Sequence, residues 1–145
     1  MSCTDCQACK EKNTKGYCSG EAKIPPINTL FLGLTEDCNS RCRYCFVHQN
    51  PAQMPYEVAF EGVNWLGRQS REGRLNINYF GGEPLLRWDD VIVPITLYAK
   101  KIYGSRINFG ITTNAILLDE EKLKFMKKYG IGMLFSFDGC KECQD

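Results

Sequence analysis

The sequence predicts an α/β fold: a partial (β/α) barrel of parallel strands with helices outside, preceded by a Cys-rich leader. Three observations predict it. From residue 27 onward, short apolar runs alternate with helix-period segments in the order βαβαβαβ, the pattern of a parallel sheet. The strand runs alternate by face. Leu75, Ile77 and Tyr79 oppose Asn76, Asn78 and Phe80; Ile107, Phe109 and Ile111 oppose Asn108, Gly110 and Thr112; Met133, Phe135 and Phe137 oppose Leu134, Ser136 and Asp138. A sheet covered by helices on both faces tends toward continuous apolar runs, so a barrel with a mixed lumen accounts better for the alternation. Finally, the chemically unusual residues all fall just after strands, at the rim where parallel α/β folds bind ligands.

In chain order, residues 1–26 form the leader, with Cys3, Cys6, Cys9 and Cys18, and Ile24-Pro25-Pro26 reads as an extended linker. The main domain is 27–145. Its first strand is expected at Thr29–Leu34. A helix follows at Tyr56–Gln69, where Ala59, Gly62, Val63 and Leu66 form one core-facing stripe. The second strand is Leu75–Phe80. The second helix is expected within Asp89–Tyr103, its start delayed by Pro94. A third strand, Ile107–Thr112, leads to a helix at Glu120–Tyr129. Asp119 caps that helix, Glu120 and Glu121 fill its first turn, Leu118 and Leu123 occupy the staple positions, and Gly130 ends it. The fourth strand, Ile131–Asp138, is the last of the pattern. It would be an unprotected edge, so the chain reads as the N-terminal portion of a larger barrel.

Composition narrows the function classes. The 145 residues suit about one domain with a core of its own. The net charge of +1, from 18 basic and 17 acidic residues, comes without a basic run and points away from nucleic acid. Met1 is followed by polar residues and cysteines, and no apolar stretch approaches a membrane span, so a soluble cytoplasmic protein is expected. Nine cysteines without a secretion signal favour metal or redox chemistry over disulfides.

The central triplet, Cys38, Cys42 and Cys45, follows the first strand. Soft thiolates select zinc or iron–sulfur clusters, and three of them leave one coordination position open. On spacing alone, a cluster with a free iron and a zinc site completed by His48 both remain open. Gly81-Gly82-Glu83-Pro84 follows the second strand: its glycines allow close backbone approach, and its carboxylate could hold an ammonium group. Thr112-Thr113-Asn114-Ala115 follows the third strand and Ser136-Phe137-Asp138-Gly139 closes the fourth. Read alone, Ser136 and Asp138 serve equally well as strand-end hydrogen-bonding groups. The leader's four thiols would close a structural zinc site or hold a further iron–sulfur cluster.

The CxxxCxxC spacing with Tyr44 before its last cysteine resembles the signature of the radical SAM enzymes. The three later loops resemble the GGEP, TTNG-like and SxDG elements of the branch that holds anaerobic sulfatase maturases and SPASM peptide maturases. The resemblance implies a 4Fe-4S cluster on Cys38, Cys42 and Cys45, with S-adenosylmethionine (SAM) chelating the fourth iron. It implies SAM contacts from Tyr44 near the adenine, from Gly81, Gly82, Glu83 and Pro84 near the methionyl amino group, from Ser136 near the ribose, and from Thr113, Asn114 and Asp138. The implied activity is cleavage of SAM to methionine and a 5′-deoxyadenosyl radical, acting on a peptide or protein with an electron donor such as a flavodoxin or ferredoxin. The sequence departs from that branch in showing four strands rather than six βα units, in lacking a downstream arginine for the SAM carboxylate, and in carrying Ala115 for Gly and Cys140 for Pro. Cys140 and Cys143 could be a redox pair, a metal half-site or inert thiols. The rival reading is a nonenzymatic iron–sulfur or zinc module for electron transfer or structure.

Overall fold

The structure, a computed structural model, describes residues 27–70 and 73–137. Four parallel strands, β1 (Thr29–Gly33), β2 (Leu75–Phe80), β3 (Ile107–Thr113) and β4 (Ile131–Phe135), pair in sequence order into one sheet. Leu32 lies opposite Tyr79, Tyr79 opposite Ile111, and Ile111 opposite Met133, so the strands' carboxyl ends form one rim. Three helices connect them: α1 (Tyr56–Gln69), α2 (Val93–Tyr103) and α3 (Glu120–Tyr129). The arrangement is the parallel α/β sheet with connecting helices that the sequence predicts.

Face alternation organises the sheet. Leu75, Ile77 and Tyr79 on β2 and Ile107, Phe109 and Ile111 on β3 are buried, while the intervening residues are half-buried. Apolar burial on the helix side, at roughly 25 cal/mol per Å² removed from water, is the main stabilising contribution. From α1, Ala59, Val63 and Leu66 enter this core, following the stripe read from the sequence. Tyr79 is accommodated because its hydroxyl meets Thr96 Oγ1 at 2.7 Å. Burial raises its pKa well above the ordinary phenol value against the opposing effect of that hydrogen bond, so the group is neutral structure. On the other face, Asn108 Nδ2 donates to Asn76 Oδ1 at 3.2 Å, a polar rung in the lumen.

The helix ends follow local chemistry. Asp119 Oδ1 accepts from Lys122 N at 2.8 Å, and Gly130 adopts the left-handed conformation at φ 69°, ψ 42°. The second helix starts later than Asp89, as Pro94 implies. A 3-10 turn (Pro84–Arg87) and a wide π turn (Trp88–Ile92) precede α2. Pro94 lacks an N–H and fits only the first turn of an α-helix, which sets the start of α2 at Val93. β1 stops one residue early, although Leu34 N still donates to Phe80 O at 2.8 Å, and β3 runs one residue further.

β4 ends at Phe135 rather than Asp138, and only its first residue, Ile131, is buried. Its outer face lacks a covering helix among the described residues, leaving Met133 and Phe135 exposed along with lumen-side Leu134. No helix among the described residues is long and apolar enough to cross a membrane. The leader cysteines Cys3, Cys6, Cys9 and Cys18, and the C-terminal Asp138, Cys140 and Cys143, lie outside the described residues.

Candidate functional site: a thiol-lined cavity at the strand rim

The loop from β1 to α1 carries the triplet and is built from short-range hydrogen bonds. Thr35 Oγ1 accepts from Asp37 N and donates to Ala52 O, both at 3.0 Å. Asp37 Oδ1 accepts from Cys38 N at 2.8 Å, and Cys45 N donates to Cys42 O at 3.1 Å. The loop's two ends meet where Met54 N donates to Leu34 O at 2.9 Å. Buried Arg87 seals this junction: Nη1 donates to Leu34 O and to Met54 O, each at 3.0 Å. Asp90 balances the guanidinium, with Nε and Nη2 both 2.7 Å from Oδ2. Sequence reasoning missed Arg87. The available signal was a charged residue in an otherwise apolar Pro-Leu-Leu-Arg-Trp run.

The Gly-Gly element docks backbone to backbone onto this loop. Gly82 N donates to Thr35 O at 2.7 Å and Glu83 N to Asp37 O at 2.9 Å. Gly81 has φ +135°, and a Cβ at Gly82 would stand 2.1 Å from Asp37 O. Gly82→Ala is therefore expected to cost about 2–4 kcal/mol, because the clash is with backbone that cannot rotate away. Denaturant unfolding at an unchanged m-value would show it; a loss near zero would mean that the two loops do not touch.

Glu83 is fully buried beneath the rim. Its Oε1 accepts from Leu85 N at 2.9 Å and Thr113 Oγ1 at 2.8 Å, and its Oε2 accepts from Asn114 N at 2.9 Å. One carboxylate thus ties the end of β2 to the end of β3. Beyond it, Ala115 takes φ 65°, a left-handed conformation that a Cβ disfavours by roughly 1 kcal/mol and that a glycine would adopt freely. Ser136 is held beside β3 by its N–H to Thr113 O at 2.9 Å.

These four strand-end segments surround a cavity of about 310 Å³. Cys38, Cys42, Cys45 and Tyr44 line it from the first, Gly81 and Gly82 from the second, Thr113 and Asn114 from the third, and Ser136 from the fourth. Phe46, Val47 and Phe80 add apolar wall, and Ser40 and Thr112 add hydroxyls, none of which the sequence reading had assigned to the site. For Phe80 the signal was present in the strand's parity, which turns it lumenward; it meets Phe31 edge to face at 6.5 Å. Glu83 and Pro84 do not line the cavity. His48 lines a neighbouring recess with Gly33, Thr35 and Glu36 rather than joining the thiols.

The donor set fits an iron–sulfur cluster: the three thiols of Cys38, Cys42 and Cys45 are free and rim one cavity, and three soft thiolates suit such a cluster with one iron left open.

Comparison with known proteins agrees with this geometry. Residues 32–142 match the family described as the radical SAM superfamily. GTP 3′,8-cyclase of Clostridium botulinum is 33% identical over 123 residues, covering 80% of this chain and 36% of that protein. The radical SAM cyclopropyl synthase TigE of Paramaledivibacter caminithermalis is 25% identical over 129 residues, covering 77% of this chain and 27% of that protein. Among solved structures, anSMEcpe, an anaerobic sulfatase maturase with bound AdoMet and Cp18Cys peptide, superposes with a TM-score of 0.71 at 27% identity, over 83% of this chain and 34% of that one. The chain spans well under half the length of these relatives, which are themselves enzymes. With a family model matching residues 32–142, the chain belongs to the radical SAM superfamily.

Proposed function

We propose that this chain carries the cluster- and SAM-binding part of a radical SAM enzyme that modifies a peptide or protein. The observation that carries the reading is the convergence of all three triplet thiols with three other strand-end segments on one cavity. When bound, a reduced 4Fe-4S cluster supplies the electron that cleaves SAM to methionine and a 5′-deoxyadenosyl radical. The residues of the chain bind, orient and shield. Cys38, Cys42 and Cys45 hold the cluster; Gly81 and Gly82, which line the cavity without side chains, admit the methionyl end of SAM; Tyr44 and Ser136 flank the adenine and ribose. Thr113 and Asn114 are fixed from below by Glu83, and Phe46, Val47 and Phe80 keep water from that side of the cavity.

A peptide or protein substrate is supported by the peptide-bound maturase structures and by the sheet's open lumen side. A flavodoxin or ferredoxin fits the need for a low-potential electron. Residues 1–26 would add a second metal site through Cys3, Cys6, Cys9 and Cys18. The test is anaerobic reconstitution of the full-length protein with iron and sulfide. Adding SAM should alter the electron paramagnetic resonance signal of the reduced cluster, and dithionite should then yield 5′-deoxyadenosine. A cluster indifferent to SAM would assign the protein to the nonenzymatic iron–sulfur class.

A further inference from the structure

The three thiols are not equivalent. Cys38 Sγ accepts from Ser40 N at 3.4 Å and from Asn114 Nδ2 at 3.6 Å, whereas among the described residues no group donates to Cys42 or Cys45 Sγ. The side chain of Asn114 is oriented from both sides. Its Oδ1 accepts from Ile116 N at 3.0 Å, which turns Nδ2 toward the cysteine loop, where its two hydrogens are shared among Asn39 Oδ1 at 2.8 Å, Ser40 Oγ at 3.2 Å and the Cys38 sulfur; Asn39 Oδ1 in turn lies 3.9 Å from that sulfur, as acceptor of the thiol hydrogen. Its own N–H is held by Glu83 Oε2 at 2.9 Å. A buried carboxylate therefore fixes the backbone from which an amide dipole reaches a thiol 76 residues away in sequence.

We infer that Asn114 is a positioning residue for the cluster, whose amide donates to the Cys38 thiolate and raises the cluster's reduction potential. The inference rests on the proposed cluster site. Reduction adds negative charge to the cluster and its sulfur ligands, and a fixed N–H dipole aimed at one of them stabilises the reduced form more than the oxidised one. The donor also makes Cys38 a weaker electron donor to its iron than Cys42 and Cys45. Asn114 is thereby assigned to the sulfur ligand, a role separate from any contact with SAM.

The test is a redox titration of the reconstituted full-length protein without SAM, followed by electron paramagnetic resonance, for the unsubstituted protein, Asn114→Leu and Asn114→Asp. Leucine removes the donor at similar volume; aspartate keeps the acceptor for Ile116 N but turns an oxygen toward the thiolate. Both variants should keep the iron and sulfide content of the parent. The reduction equilibrium should fall about tenfold in the leucine variant, ~59 mV for a one-electron couple, and further in the aspartate variant. If the leucine variant fails to fold, the aspartate variant decides. A cluster retained at an unmoved potential overturns the inference alone, and so does loss of the cluster from both variants, which would make Asn114 a scaffold residue only. Absence of a cluster from the unsubstituted protein overturns the proposed function and this inference together.

Discussion

Replacing Cys42 with alanine is expected to abolish both the cluster and SAM cleavage, with alanine at Cys38 or Cys45 giving the same result. Two thiolates cannot hold a cubane against solvent and competing ligands, so iron content, visible absorbance and 5′-deoxyadenosine should all fall to background. Folding should be nearly untouched. Cys45 is exposed and Cys38 and Cys42 are only half-buried, so each substitution should change the stability of the iron-free protein by about 0.5 kcal/mol or less. The combination of intact unfolding behaviour and complete cluster loss separates a ligand from a packing residue. Iron retained in all three variants would move the cluster elsewhere and sink the assignment.

Glu83→Leu should have the largest effect on stability, about 3–5 kcal/mol, because it strands three donors at once: the buried Leu85 N and Thr113 Oγ1 and the part-buried Asn114 N. Against a typical total of roughly 5–15 kcal/mol for a domain, that is a large fraction. Glu83→Gln should cost less, about 1–3 kcal/mol, since an amide oxygen still accepts from one side while its NH₂ faces the other donor. Denaturant unfolding of the iron-free protein measures both. Near-wild-type stability in Glu83→Leu would mean that the carboxylate is not clamped between strand ends, leaving it available to a ligand's ammonium group. The same clamp predicts that Glu83 variants disturb Asn114, and through it the environment of Cys38.

Much of the fold was legible because its signals are local. Alternation in β2 and β3, the stripe Ala59–Val63–Leu66, the Asp119 cap and the Gly130 terminus each follow from a few neighbouring residues, and all appear where the sequence predicts them. The late start of α2 at Val93 was legible too, from Pro94, whereas β4 ends at Phe135, short of Asp138, because its partner β3 ends at Thr113, the residue with which Phe135 pairs. The meeting of the triplet thiols at one cavity was legible from spacing because all three sit on one short loop. Arg87 was not legible, since its partners Leu34 O and Met54 O are backbone atoms that leave no mark in residue identity.

By itself, then, the sequence determined the order of strands and helices, the face each presents, and the place of the cysteine loop just after the first strand, all of which depend on periodicity and spacing within a single segment. Only the tertiary structure decided that Glu83 lies under the cavity as a clamp, that Arg87 closes the cysteine loop, and that Asn114 reaches Cys38. The physical reason is register. Pairing β1 with β2 and β2 with β3 sets which strand ends stand side by side, and a hydrogen bond between residues 76 apart exists only once that pairing has been made.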